Sequence, residues 1–276
     1  MFLAFAFARR YASDPASAVA VMLTGVTSSL PHYAWNFSPD IFVTMLLMAA
    51  LVTLPADRRP KLIRHFAAGL LLGIAVVSKY SLFLAIPGIP LLSGRPARRT
   101  LPTLAAGFAL PVLLWAALNT HFFGSPLITP YDRMASIQEN IGQVHSQRSD
   151  FDYPLWKGIK NQILDPKRGL LPTTPITILS ILGLWTLARR DRLAALYLGG
   201  TNLAIFLFFS KYRWWGASHY GSRFLMPLVV LAAVPLAVMI DATVGWLRAR
   251  RGLKTPAEDR ISADPPPVGE ESHKET

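Results

Sequence analysis

The chain has 276 residues, 52% of them hydrophobic, and a formal net charge of +12. It contains no cysteine, which excludes disulfides, thiol catalysis, zinc–thiolate sites and iron–sulfur clusters. The Lys and Arg residues fall between apolar runs, so the positive charge points to a membrane topology and not to a nucleic-acid partner.

Met1–Ala8 (MFLAFAFA) is apolar, has no basic region before it and runs into Arg9-Arg10. It does not read as a signal peptide; it reads as the last two turns of a helix. The apolar segments that follow are Ala16–Ala34, Asp40–Leu54, Phe66–Ser78, Ser81–Leu92, Leu101–Leu118, Thr174–Ala188, Leu193–Ser210 and Phe224–Trp246. Phe66–Leu92 has two readings. As one long helix it buries Lys79 near its middle, at ~2.5–3.5 kcal/mol. As a hairpin with Lys79-Tyr80 at its tip, it brings every basic cluster to one side. Those clusters are Arg9-Arg10; Arg58, Arg59, Lys61 and Arg64; Arg95, Arg98 and Arg99; Arg189, Arg190 and Arg192; and Arg248, Arg250, Arg251 and Lys254. The positive-inside rule favours the hairpin, with the basic loops cytoplasmic in an inner (plasma) membrane. Its arms have 13 and 12 residues. At about 18–20 Å each they are too short for a ~30 Å hydrocarbon core, so the tip belongs in a protein-lined cavity.

This topology places three connections outside: Trp35–Pro39, Asn119–Thr173 and Lys211–Arg223. The long one, roughly 55 residues with an amphipathic stretch near Met134–Val144, is expected to hold short helices on the membrane surface. The polar, proline-rich end of the chain reads as disordered. The expectation is an all-α, polytopic protein of about eight membrane segments, the re-entrant hairpin included. Residues 1–118 form transmembrane helices with short loops, 119–173 an extracytoplasmic loop, 174–246 further transmembrane helices, and 247–276 a cytoplasmic tail.

Several residues carry chemistry by position. Lys79, with Tyr80 beside it, is an ionisable group at membrane depth, a functional signal by default, although a lysine also snorkels to headgroups. Asp40 follows Pro39 at a helix start, where an acid also complements the dipole. Arg223, at the mouth of the last helix, suits bidentate phosphate contact; interfacial anchoring beside an aromatic belt of Trp214 and Trp215 is the plainer role. His219 is a candidate proton shuttle or a structural histidine. Asp165-Pro166-Lys167-Arg168-Gly169 is a turn, or a headgroup contact through Asp165 and Arg168. Asp150-Phe151-Asp152 has a metal-diphosphate spacing that two acids reach easily by chance. Gly69 and Gly73 make a small-xxx-small pattern for close helix packing. No metal-ligand spacing such as H-E-x-x-H, no P-loop and no nucleophile elbow is present.

Five stretches carry a resemblance: Asn36–Leu47 (NFSPDIFVTMLL), Gly69–Pro90 (GLLLGIAVVSKYSLFLAIPGIP), Phe123–Tyr131 (FGSPLITPY), Leu164–Pro175 (LDPKRGLLPTTP) and Tyr220–Pro227 (YGSRFLMP). In this order the chain resembles the integral-membrane glycosyltransferases of the GT-C superfamily, and more narrowly the family 39 branch of protein-mannosyltransferases and aminoarabinose transferases. The resemblance implies a polyprenyl-phosphate-linked sugar as donor, membrane lipids as surroundings, and a lipid, glycan or protein acceptor on the periplasmic or outer face. It implies that Asp40 is the family's second acidic position, Lys79 the lysine near the donor phosphate, and Arg223 the basic residue at a late helix mouth. The Asp165–Gly169 motif resembles the loop returning from the outer domain. A divalent metal is left open as cofactor. The family's principal acidic residue lies in a first outer loop that would precede Met1, so the expectation is a chain lacking its N-terminal part and inactive alone. A transporter or lipid flippase, and a non-catalytic membrane scaffold, are the alternative functions.

Overall fold

The computed structural model describes residues 1–36, 38–55, 61–92, 97–128, 151–215 and 220–251. The described residues are helices and turns, with no strand among them. In chain order the helices are α1 Phe2–Ala8, α2 Asp14–Val26, α3 Leu30–Trp35, α4 Pro39–Thr53, α5 Leu62–Ser78, α6 Ile89–Leu92, α7 Ala97–Phe123, α8 Leu155–Leu164, α9 Leu170–Thr173, α10 Ile176–Arg190, α11 Arg192–Lys211, α12 Met226–Leu231 and α13 Ala233–Arg250. Two 3₁₀ turns, Tyr80–Ala85 and Arg223–Leu225, lie between them. Thr100–Phe123, Arg192–Lys211 and Arg223–Arg250 are long and apolar enough to cross a membrane. The chain is thus a helical membrane protein; α2, α4 and α5 are shorter apolar helices beside those spans.

Local chemistry sets the boundaries. Ser38 caps α4 by accepting the Asp40 N–H at 3.3 Å, and Pro39 occupies the first turn, where its missing N–H costs nothing. Leu54 precedes Pro55, adopts extended backbone and ends the helix. Asp191 ends α10 and caps α11, accepting the Leu193 and Ala194 N–H groups at 3.1 and 3.0 Å.

Three expectations change in detail. Ala16–Ala34 is two helices, not one span, broken at Thr27–Ser29. There the Thr27 hydroxyl donates back to Leu23 O and Ser28 Oγ accepts from the Leu30 N–H, local bonds that compete with the helix ladder. The segment expected as the hairpin's second arm, Ser81–Leu92, is no regular helix but a 3₁₀ turn and the single turn α6, because Pro87, Gly88 and Pro90 interrupt it. Gly88 lies against the Tyr197 ring, where an added Cβ would come within 2.6 Å of Cδ2. Phe224–Trp246 is broken at Ala232, since Pro235 has no N–H to give Leu231 O.

The glycine pattern packs helices as expected. Gly69 and Gly73 lie against the α7 backbone at Leu104 and Phe108, and Gly107 of α7 against that of α5 at Phe66 and Leu70. Gly183 of α10 seats on the Pro235 carbonyl of α13 in the same way. Short helices do occur in the long connection, at α8 and α9; Met134–Val144 lies outside the described residues, as does the tail beyond Arg251. Helix α13 carries helical structure past the expected boundary at Trp246, to Arg250.

Charge segregates between the two ends of α4 and α5. At one end Arg10 donates to the Leu51 and Val52 carbonyls at 3.1 and 2.5 Å, and Arg64 to Thr53 and Val52 at 2.9 and 3.3 Å. Both thereby satisfy the free carbonyls that close α4. Nearby, Asp241 of α13 pairs with Arg190 at 2.9 Å and accepts the Ser13 N–H at 3.3 Å. Burial lifts the Tyr11 phenol to about 12, with the Asp191 charge adding to the effect. Asp40 and Lys79 occupy the opposite ends of their helices.

Candidate functional site

The site forms where α4 begins, α5 ends and α11 ends. Asp40 sits in the first turn of α4 at 5% exposure, deep enough that it needs a partner. That partner is Lys79, which makes an ion pair with it. Lys79 stops α5 by turning extended, at φ −155°, while its N–H still donates to Ala75 O at 2.9 Å. The break in the helix aims the side chain across to α4, and the following 3₁₀ turn begins on the Lys79 carbonyl, which accepts from the Leu82 N–H.

Aromatic rings complete the lysine's surroundings. Nζ lies 4.9 Å from the Phe224 centroid and 5.4 Å from that of Phe209, and these two rings stack at 4.9 Å. The Arg223 guanidinium also lies over Phe224, at 4.8 Å, and its charge repels that of Lys79. Cation–π contact contributes about 0.5–2 kcal/mol for each cation, more as water is excluded. Arg223 Nε is buried and has no hydrogen-bond partner among the described residues. Beyond its ion pair Lys79 Nζ has no hydrogen-bond partner there either. Two cations thus share one acid, with donor capacity left over, and such a cluster attracts an anion.

The loops above the cluster are tied together. Tyr33 of α3 donates its hydroxyl to Tyr220 O at 2.5 Å, with Gly221 O 3.2 Å away. Gly221, at φ +60°, packs against Ser29 and donates its N–H to Lys167 O at 2.8 Å. A side chain at this position would be strained, which suits glycine. The Asp165–Gly169 loop is therefore fastened two residues before Arg223. Within it Asp165 Oδ1 accepts the Lys167 and Arg168 N–H groups at 3.0 and 2.9 Å, so this carboxylate shapes its own turn. Arg168 Nε is buried without a hydrogen-bond partner among the described residues.

The sequence-derived candidates are thus sorted. Asp40, Lys79 and Arg223 come together, and Arg168 stands on the adjoining loop. Asp165 closes that loop. Tyr80 is 44% exposed and sets its ring edge to Trp115 of α7, 5.6 Å away. His219 and Asp150 lie outside the described residues, while Asp152 pairs with Arg213 in two-pronged fashion. The tryptophan pair is split: Trp214 is 55% exposed, but Trp215 is buried at 7% and forms no belt. Sequence reasoning missed Tyr33, Phe209 and Phe224. Nothing local marks them, since Tyr33 reaches a residue 187 positions away. No group of three or more His, Cys, Asp or Glu suited to a metal ion occurs among the described residues.

Helices long and apolar enough to cross a bilayer define a membrane-integral protein, and within it a largely buried Asp40–Lys79 ion pair lies beside a second cation, Arg223. Residues 1–117 match the family model for dolichyl-phosphate-mannose-protein mannosyltransferase. The matched part runs from α1 into α7 and contains Asp40, Lys79 and Tyr80. No curated protein and no solved structure matches the chain. The family match and the apolar helices support a membrane glycosyltransferase that takes its sugar from a lipid-linked donor.

Proposed function

We propose that the chain moves a sugar from a polyprenyl-phosphate donor to an acceptor at the face opposite its basic loops, the periplasmic or outer face. The observation that carries this reading is the Lys79–Arg223 pair. Both cations are partly buried over one ring, beside a single acid, and each has a buried nitrogen without a hydrogen-bond partner among the described residues. In the reaction the acceptor oxygen bonds to the anomeric carbon as the bond from that carbon to the phosphate oxygen breaks. The electron pair leaves with the polyprenyl phosphate, and Lys79 and Arg223 stabilise its growing charge. The acceptor's proton goes to a carboxylate. Asp40 is the candidate, because a phosphate that draws Lys79 away frees its oxygens to act as base. Arg168 contacts substrate from the adjoining loop, and Asp165 positions it.

Binding of radiolabelled polyprenyl phosphate to the purified chain in nanodiscs tests this. A charge-assisted hydrogen bond is worth ~1.5–3 kcal/mol, so Lys79→Ala or Arg223→Ala should weaken binding by about 10–150-fold. Lys79→Arg, which keeps the charge, should lose less. Retention of helical circular dichroism and a single gel-filtration peak excludes misfolding as the cause. Unchanged affinity in folded Lys79→Ala and Arg223→Ala proteins would refute the phosphate site.

A further inference from the structure

Charge is unevenly paired where α10 turns into α11. Arg189, Arg190 and Arg192 stand there around Asp191. Asp191 Oδ1 accepts the Leu193 and Ala194 N–H groups, which turns that acid onto its own helix start. Arg190 is taken up by Asp241 at 2.9 Å and by Tyr11 O at 3.4 Å. Arg189 and Arg192 are exposed and pair with no acid among the described residues. This is the end of the molecule where Arg10 and Arg64 close α4.

An apolar groove of about 500 Å³ opens between the two helices at this end, and Arg192 itself lines it. Ile181, Leu184 and Ala188 of α10 form one wall and Leu196 of α11 the other. Trp185 also lines it, 67% exposed, with the Arg189 guanidinium over its ring at 5.3 Å. An exposed tryptophan beside cations near the end of an apolar helix marks the headgroup layer. Trp246 of α13, 53% exposed with Arg250 over its ring at 4.0 Å, repeats the arrangement on the helix packed against α10. From Ala188 back to Ile181 the groove follows α10 for about 10 Å, away from the arginines. Its apolar walls do not choose among lipids, because one acyl chain is as apolar as another. The choice falls to the head. Two guanidiniums without an acid favour a phosphate and can grip it in bidentate fashion. A second copy in the same orientation would bring its own arginines to this layer, where like charges repel.

We propose that this groove holds a resident anionic phospholipid of the adjoining leaflet, its phosphate at Arg189 and Arg192 and one acyl chain against Ile181, Leu184 and Leu196. The lipid is neither donor nor acceptor, and its binding does not depend on the donor reading. It compensates the two unpaired charges and bridges α10 to α11 across their turn.

The test uses phosphatidylglycerol and phosphatidylcholine carrying the same photoreactive acyl chain, each as a minor component of phosphatidylcholine nanodiscs that hold the unaltered chain. Crosslinked peptides are mapped by mass spectrometry. Each arginine near the surface should favour the anionic lipid by about fivefold. Phosphatidylglycerol should therefore label the stretch from Ile181 to Leu196 roughly 20–30-fold more than phosphatidylcholine. Arg189→Gln and Arg192→Gln should each cut that preference about fivefold, and the double variant should abolish it. Both positions are exposed, so folding should survive, and unchanged helical circular dichroism checks this. Arg248→Gln removes an exposed charge of α13 that does not line the groove, and it should leave the preference as it was. Excess glycerol phosphate, which has no acyl chain, should not displace the label. Equal labelling by the two lipids overturns the proposal, as does a preference that survives in the double variant. A loss in Arg248→Gln as large as in Arg192→Gln reduces the effect to diffuse surface charge and overturns the site. Displacement by glycerol phosphate gives the arginines to a soluble phosphate. Absence of label with two copies in each nanodisc gives the groove to a second copy, and either result overturns the lipid.

Discussion

Replacing Lys79 by methionine keeps an unbranched side chain, one atom shorter, and removes its charge. Asp40 would then stand at 5% exposure with Ser38 Oγ–H, 3.2 Å away, as its remaining side-chain contact. Breaking one half of a buried ion pair costs ~3–5 kcal/mol, because the other charge is left uncompensated. Loss of the cation over Phe224 adds ~0.5–1 kcal/mol, which the methionine sulfur partly restores against the same ring. The single variant is therefore expected to lose about 3–5 kcal/mol of stability. Asp40→Asn alone strands the ammonium beside Arg223 and should cost a similar amount. The double variant Asp40→Asn/Lys79→Met buries no charge at this position, so it should return to within about 1 kcal/mol of the unaltered chain. Equilibrium unfolding in mixed lipid–detergent micelles, read by circular dichroism, measures all four corners of the cycle. Additive losses, or a Lys79→Met protein within about 1 kcal/mol of the unaltered one, would refute the account of a buried, mutually dependent pair.

Two further outcomes follow from packing and capping. Gly69→Leu sets a side chain against the Leu104 carbonyl and the Phe108 N–H of α7, so α5 and α7 must separate. A loss of about 1–3 kcal/mol is expected in the same unfolding assay, while Gly200→Ala, with nothing within 4 Å of its new Cβ, should be near neutral. Asp191→Ala removes the acceptor for two N–H groups at the start of α11. It should cost ~0.5–2 kcal/mol, with faster amide exchange confined to the first turn of that helix.

The break at Lys79 was legible because a lysine in the middle of an apolar run must be accounted for, and α5 does end there. The irregular second arm was harder to see. Pro87, Gly88 and Pro90 are all visible in the chain, yet apolar content alone made Ser81–Leu92 look like a helix. The site was half legible. Lys79, Asp40 and Arg223 stand out as charges beside apolar runs, whereas Phe209 and Phe224 look like any other apolar residue until they are found under the cations.

Composition and order alone settled that this is a helical membrane protein, because long uncharged runs have few alternatives and short polar caps fix where helices start. Partnership was decided only by tertiary structure. The pairing of Lys79 with Asp40, the bond from Tyr33 to Tyr220 O and the tie from Gly221 to Lys167 join residues far apart in the chain. Such contacts depend on which helix faces pack together, and that is a property of the assembled bundle, not of any one segment.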